Sequence, residues 1–183
     1  DNYFQFTETE DFPEIEACDN NLPKLDPEIL SNFFPNEVIS YDDSGEFRNV
    51  ISVFISFTGV NTHEALNQFV SVVLDKIYSF SGYFKEVDFG DKGGVLVCFF
   101  GAPVTFENNI ERAIEFVLAL EEELKDLRRT SSLQFRIGIT SGNAFTGTVG
   151  GAERCQYAAV GNRINLAARI MGKADYGQVL VDE

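Results

Sequence analysis

Two polar side chains near the end of the sequence have the spacing needed to bind one ligand together. Asn165 and Arg169 stand four residues apart in a segment, 162–173, whose apolar pattern predicts a helix. Residues at this spacing leave the same face of a helix, so both side chains can reach one bound group. An arginine guanidinium suits the charge of a phosphate, and an asparagine amide can orient a ribose. The same spacing also suits two residues that only cap or bridge surface groups.

Other residues that could do chemistry lack the partners that their chemistry needs. No Lys-Ser/Thr pair follows the glycine-rich stretch 147–151, which argues against a P-loop. His63 has no serine or cysteine constellation nearby in the sequence, so a surface or capping role is expected for it. The cysteines are odd in number, form no CxxC pair and lie scattered at Cys18, Cys98 and Cys155. Neither a disulfide framework nor a zinc site is therefore expected.

The charge of the chain excludes two classes of partner. The formal net charge is −15, and residues 1–28 alone hold nine acids and one lysine. Such a balance repels phosphate backbones and anionic lipid headgroups, so no nucleic acid and no membrane contact is expected. No apolar run approaches the roughly 20 residues that cross a bilayer. With unpaired cysteines, the composition predicts a cytoplasmic domain.

The chain divides into an acidic leader and one folded domain. Residues 1–44 are predicted to be a leader or linker, with two short helical turns between Asp26 and Ile39. Residues 45–183 are predicted to form a single domain with a hydrophobic core. Because the sequence begins without methionine and stops within an apparently unfinished strand, we expect a piece of a longer protein, truncated at the C-terminal end of the domain.

Strand and helix patterns alternate through the domain. Strands are predicted at 50–57, 83–89, 95–100, 133–139, 143–149 and 179–181, and helices from Asn61 or Thr62 to Ser81, at 107–128 and at 162–173. Short glycine-containing links predict that the second and third strands form one hairpin, and that the fourth and fifth form another. The order βαββαββαβ predicts an α+β sandwich with helices on one face of a mainly antiparallel sheet.

The stretch FRIGITSGNAFTGTVGGAERCQYAAVGNRINLAARIM, residues 135–171, carries a specific resemblance. A strand of the type RIGI, a segment of small residues ending in VG, and a helix of the type GxxxNLAAR follow in this order. This arrangement resembles the class III nucleotidyl cyclase catalytic domain, and the likeness extends from Gly45 to the end of the chain. The resemblance implies a ferredoxin-like cyclase fold and places Asn165 and Arg169 at the positions that contact ribose and phosphate.

The resemblance also implies where metal ligands should be, and this sequence departs from it there. In the family two aspartates hold two magnesium ions. Ser56 occupies the first position, and a hydroxyl cannot replace an anionic ligand of a hard cation. The second position falls on Gly94 if strand length decides the register, or on Asp91 if the Gly-Asp dipeptide does, and we favour Gly94. Mg²⁺ is then expected only if a partner domain supplies its ligands.

The residues that read the purine base in the family are only partly present. Lys85 is the candidate for the base-reading lysine, with Lys92 a weaker one, and a solvated strand-edge lysine is the ordinary alternative. Ala158 occupies the second base-reading position and has no polar side chain. Whether ATP or GTP binds is therefore left open.

Class III cyclases work as dimers whose two halves contribute different residues to one site. This chain retains part of the set Lys85, Asn165 and Arg169, and lacks the metal set. The leading hypothesis is a degenerate half that complements a metal-bearing sister domain and is inactive alone. The alternative is a non-catalytic pseudo-cyclase that serves as a regulatory, dimerisation or nucleotide-sensing module in signal transduction. An active cyclase that uses Asp91 is a third reading.

Overall fold

The computed structural model describes residues 26–41, 45–90, 93–151 and 154–183. Within these ranges the helices are α1 (Pro27–Ser31), α2 (Asn36–Ile39), α3 (His63–Ser79), α4 (Asn109–Thr130) and α5 (Asn162–Lys173). The strands are β1 (Glu46–Thr58), β2 (Tyr83–Gly90), β3 (Gly93–Phe100), β4 (Gln134–Gly150), β5 (Cys155–Val160) and β6 (Val179–Val181). From β1 onward the order is βαββαββαβ, the expected succession, although the two strands before α5 are not the two that the sequence predicts.

Helices α1 and α2 occupy the segment in which the sequence predicts two helical turns. Asp26 caps α1 by accepting a hydrogen bond from the Glu28 amide at 3.0 Å, and Pro27 fills the first helical position. Neither helix contains a buried residue, although Val38 of α2 is partly buried and packs against the core on the α5 side of the sheet. The rest of the expected leader, residues 1–25 and 42–44, lies outside the described residues.

The described strands form one sheet. Its strands lie in the order β2-β3-β1-β4-β5, and every neighbouring pair in this path is antiparallel. The short strand β6 pairs with β4 and is parallel to it. A mainly antiparallel sheet with packed helices is the α+β class that the sequence predicts.

The main core lies between one face of the sheet and the two long helices. Thr62 caps α3 by accepting a hydrogen bond from the Ala65 amide at 3.2 Å. Every second residue of β1 faces α3 and α4, because side chains alternate along a strand. The buried side chains at this contact include Ile51, Val53, Ile55 and Phe57 of β1, Phe69, Val73 and Ile77 of α3, and Ala113, Phe116 and Leu120 of α4. Each large side chain buried here contributes about 1.5–3 kcal/mol.

Helix α5 packs against the opposite face of the sheet. Ile137 and Ile139 of β4 belong to the main core, so position 138 between them faces the other way. A Cβ atom at Gly138 would lie 2.3 Å from the Met171 amide nitrogen and 2.5 Å from the Ala167 carbonyl oxygen. The expectation that all helices pack on one face of the sheet is therefore confirmed for α3 and α4 and wrong for α5. The apolar stripe of a helix predicts that it packs on a sheet without indicating which face it covers.

The hairpin expected between residues 133–139 and 143–149 is wrong. Strand β4 runs unbroken through both segments, and Ser141 and Gly142 at its middle pair with β1. The true hairpin joins β4 to β5. Sequence reasoning missed β5 because CQYAAV is short and shows no alternation of polar and apolar residues.

Gly142 serves packing and not a turn. A Cβ atom at this position would lie 2.5 Å from Cγ of Arg163, the second residue of α5. The glycine therefore makes room for the first turn of the helix while its backbone stays in the strand.

Candidate functional site

Asn165 and Arg169 lie one turn apart on the exposed side of α5. The other side of the helix carries Ile164, Ala167 and Met171, which are buried against the sheet. Among the described residues, nothing forms a hydrogen bond or an ion pair with the side chain of Asn165 or Arg169. Both side chains are exposed to solvent in the described structure.

Three contacts to β4 set the position of α5. The backbone of the helix approaches Gly138 too closely for any side chain there. The Thr140 hydroxyl donates to the Arg163 carbonyl in the first turn at 2.8 Å, and Arg136 donates through Nη1 to the Ala174 carbonyl after the last turn at 2.9 Å. Because both ends of the helix are held, the directions of its exposed side chains follow from the sheet.

A groove of about 440 Å³ lies beside the C-terminal part of α5. Sequence reasoning missed two of its charged residues, Asp88 and Arg136. In the sheet Arg136 pairs with Ser56, Ser56 pairs with Val95, and Val95 pairs with Asp88, so these residues form one row on the face that carries α5. Strand register could have indicated this row once the strand order was known.

One hydrogen-bond donor of Arg136 is unpaired in the described structure. Its guanidinium carbon lies 5.1 Å from the centre of the Tyr176 ring, a cation–π contact. Its Nε atom is buried and finds no hydrogen-bond acceptor within the described ranges. A buried N–H without an acceptor is costly, so an acceptor atom of a bound group would be stabilised at this edge of the groove.

The two positions that the resemblance implies for metal ligands, Ser56 and Gly94, lie on opposite faces of the sheet. Ser56 lies on the α5 face, whereas Gly94 pairs with Phe57 and shares its face, towards α3 and α4. A Cβ atom at Gly94 would lie 2.1 Å from the Phe57 ring, so a carboxylate could not fit there without moving that ring. Asp91 and Lys92 lie outside the described residues.

The donors near the groove do not fit a pair of magnesium ions. In the described part of the chain, no three His, Cys, Asp or Glu side chains come close enough together to hold a metal. Among the described residues Asp88 is the one carboxylate that lines the groove, and its Oδ1 atom accepts a hydrogen bond from the Phe89 amide at 2.8 Å. Two magnesium ions require several oxygen ligands, and two-metal sites bridge them with carboxylates.

Lys85 lies in a separate cavity of about 440 Å³. The residue sits at an irregularity in the pairing of β2 with β3, and its side chain is only 12% exposed. Its Nζ atom donates to Oε1 of Gln156 at 3.3 Å and lies 3.9 Å from Oε2 of Glu86. Lys85 thus lies on the outer strand β2 with most of its side chain covered, and Gln156 is a neighbour that sequence reasoning missed. Ala158, two residues further along β5, is buried.

Burial perturbs the titration of groups around this cavity. It raises the pKa of Tyr83 to about 12, with Tyr157, Tyr78 and Glu86 adding to the effect. Burial also raises the pKa of Tyr157, whose buried hydroxyl has no hydrogen-bond partner in the described part of the chain. All these phenols are neutral at pH 7, so the charged groups that line the cavity are Lys85 and Glu86.

Sequence comparison gives a family for most of the chain. The family described as adenylate and guanylate cyclase catalytic domain matches residues 46–183. Adenylate cyclase 1 of Rhizobium meliloti is 38% identical over 92 residues, which are 46% of this chain and 14% of that protein. Adenylate cyclase type 10 of Homo sapiens is 27% identical over 165 residues, 81% of this chain and 10% of that protein. The chain thus spans a small part of these relatives.

Solved structures share the fold at low sequence identity. The adenylyl cyclase CyaB of P. aeruginosa superimposes with a TM-score of 0.67 at 21% identity, covering 76% of this chain and 79% of that one. The guanylate cyclase domain of RhGC from Catenaria anguillulae, solved in complex with GTP, gives a TM-score of 0.65 at 21% identity, covering 74% and 79%. In the described ranges, none of the helices has the length and apolar character needed to span a bilayer.

Proposed function

Because this chain belongs to the adenylate and guanylate cyclase catalytic domain family, we propose that it is the complementary half of a two-domain cyclase. It donates Asn165 and Arg169 to a nucleoside triphosphate that a sister domain holds. The observation that carries this proposal is the exposed pair on α5, which has no partner among the described residues and belongs to a helix that contacts at both ends fix to the sheet. In the same described ranges no cluster of side chains could hold a metal ion. The domain is expected to be cytoplasmic, like its substrate.

Each donated residue has a distinct task. The Arg169 guanidinium offers several N–H donors in one plane and stabilises negative charge that develops on a phosphate. The Asn165 amide offers both a donor and an acceptor, which suit a ribose hydroxyl and ring oxygen and orient the sugar. Because the helix that carries them is fixed to the sheet at both ends, only the two side chains need to be ordered when a ligand binds.

A complementation assay tests the proposal. The chain is mixed with a cyclase domain that carries both metal-binding aspartates, and conversion of ATP and of GTP is measured for wild type and for Arg169→Ala. We expect the variant to lose about 100-fold or more of the rate, since removal of one donor to a developing charge costs roughly that much. Arg129→Ala is the matched control, because Arg129 is an exposed arginine on α4 that pairs with Asp126. Equal rates for wild type and Arg169→Ala would contradict the donated arginine.

A second candidate function is a non-catalytic regulatory module. The buried, apolar Ala158 at a base-reading position favours it, because a site that no longer reads a base need not turn over a nucleotide. In that case the chain would change the activity of its partner equally with and without Arg169. Assays of the isolated chain with Mg²⁺ and with Mn²⁺ test the further alternative, activity without a partner.

A further inference from the structure

One wall of the Lys85 cavity is held differently from the others. Three walls come from α3, β2 and β5, which the main core and the sheet keep in place. The remaining wall is the turn that follows α1, and it contributes Asn32, Phe33 and Phe34. Residues 26–34, which comprise α1 and this turn, are called the flap below.

The hydrogen bonds of the flap all stay within it in the described part of the chain. The amide of Phe34 donates to the Leu30 carbonyl at 2.9 Å, whereas the amide of Val38 donates to the Pro35 carbonyl at 2.9 Å. Pro35 itself has no N–H group. No described hydrogen bond therefore crosses the link between Phe34 and Pro35, so this link can serve as a pivot.

The segment after the pivot is anchored to the rest of the domain, and the flap is not. Val38 packs against the core on the α5 side of the sheet, and the ring of Tyr41 meets that of Tyr157 edge to face, with centroids 5.0 Å apart. By contrast, helix α1 contains no buried residue. The flap can therefore move about the pivot while residues 35–41 keep their contacts.

The closed position of the flap buries little apolar surface. Phe33 is 75% exposed and Phe34 is 46% exposed, although both line the Lys85 cavity. Hydrophobic stabilisation grows with the apolar area removed from water, so these rings hold the flap only weakly. A further cavity of about 350 Å³ lies between residues 31–37 and Tyr78, so the packing beneath the flap is incomplete. Segments with so few buried contacts open at a lower free energy than the whole domain unfolds.

We infer that the flap is an autoinhibitory element that closes the Lys85 cavity and must swing away about the Phe34–Pro35 link before a ligand reaches Lys85. With the flap closed, the Lys85 side chain is only 12% exposed. The inference concerns the regulation of the proposed site, and it rests on the proposed function in taking the ligand to be a nucleoside triphosphate. The apparent affinity for that ligand is then reduced by the fraction of molecules whose flap is open.

Lysine acylation tests the closure without any nucleotide. The full 183-residue chain is treated with a water-soluble N-hydroxysuccinimide ester, and peptide mass spectrometry follows the labelling of each lysine. The rate for Lys85 is divided by the rate for Lys125, which is exposed on α4 and serves as the reference. We expect the double variant Phe33→Ala/Phe34→Ala to raise this ratio severalfold, because it removes both rings from the mouth of the cavity.

Two controls isolate the flap. Ile29→Ala removes an exposed apolar side chain from the same flap that lines neither of these two cavities, so it should leave the ratio unchanged. Lys76 reports on general unfolding, because its ion pair with Glu123 joins α3 to α4 at 2.9 Å. A rise at Lys85 without a rise at Lys76 places the change at the cavity.

The complementation assay measures the consequence for nucleotide use. A flap that is open in about one-tenth of the molecules raises the KM about tenfold. The double variant is therefore expected to lower the KM for ATP or GTP by up to about tenfold, while kcat stays unchanged because the side chains on α5 are untouched. A flap that instead closes over bound nucleotide and retains it would give a higher KM in the same variant.

The outcomes separate this inference from the proposed function. An unchanged Lys85 ratio in the double variant overturns the inference, as does an equal rise in Ile29→Ala. A KM that stays the same or rises also overturns it. Absence of complementation by the wild-type chain would contradict the proposed function instead, and lysine acylation would still decide whether the flap closes the cavity.

Discussion

The rings of Tyr83 and Tyr157 meet edge to face, with centroids 5.6 Å apart and planes at 88°. Tyr83 lies on β2 and Tyr157 on β5, the two outer strands of the five-strand path. The contact therefore joins opposite edges of the sheet across the face that carries α5. Tyr41 adds a second edge contact to Tyr157, with centroids 5.0 Å apart, and Lys85 reaches Gln156 beside it. The β4–β5 hairpin thus closes over the sheet and forms one side of the Lys85 cavity.

Removing the ring of Tyr157 should destabilise the domain. The side chain is 4% exposed and packs against two other tyrosine rings, so Tyr157→Ala is expected to lower the free energy of unfolding by about 3 kcal/mol. Tyr157→Phe keeps the ring contacts and removes a buried hydroxyl that has no hydrogen-bond partner among the described residues, so it should leave the stability unchanged or raise it by up to about 1 kcal/mol. Urea unfolding followed by circular dichroism measures both. Equal losses for the two variants would show that the ring contacts do not hold the hairpin.

Gly138→Ala should displace α5 from the sheet. The added methyl group would lie 2.3 Å from a backbone nitrogen of the helix, and no rotation of a side chain can relieve that overlap. We expect a loss of about 2 kcal/mol in stability and a loss of complementation, because Asn165 and Arg169 move with the helix. Gly172→Ala is the control: it lies in the same helix with nothing within 4 Å of the new Cβ atom. A better helix former there should raise stability by up to about 1 kcal/mol, and the prediction fails if the two variants behave alike.

Stability should fall in strongly alkaline solution. The pKa of Tyr83 is raised from 10.0 to about 12 in the folded protein, so the neutral phenol favours the folded state fully below pH 10. Above pH 10 the unfolded chain loses this proton first, and the contribution disappears as the pH approaches 12. The loss is expected to be about 3 kcal/mol for this group, since each pKa unit corresponds to roughly 1.4 kcal/mol. Unfolding of wild type and of Tyr83→Phe across this range isolates the contribution, and identical pH profiles would refute it.

The cysteines at positions 98 and 155 should differ sharply in reactivity. Cys98 is fully buried, and burial raises the pKa of its thiol well above the ordinary value, whereas Cys155 is exposed at the start of β5. Alkylation requires the thiolate and access to it. Iodoacetamide at pH 8.5, followed by peptide mass spectrometry, should label Cys155 in the folded protein and Cys98 only after unfolding. Labelling of both at the same rate under native conditions would contradict the burial of Cys98.

Periodicity along the chain was enough to predict several elements closely. The helix that carries Asn165 and Arg169 was expected at 162–173 and is found there, because its apolar residues recur at three- and four-residue spacing. The cap at Thr62 and the hairpin between β2 and β3 were also readable, since a capping hydroxyl and adjacent glycines act locally. The same reasoning predicted a turn wrongly near Gly142, because the sequence does not distinguish a glycine needed for packing from a glycine needed for a turn.

The family, most of the helices and strands, and the helical spacing of Asn165 and Arg169 could be predicted from the sequence, because these depend on residues that are near one another in the chain. Tertiary structure alone decided that α5 covers the second face of the sheet, that Ser56 and Gly94 point to opposite sides, and that Lys85 meets Gln156. These relationships depend on strand register and on the curvature that brings distant edges together, and no local pattern of residues records either one.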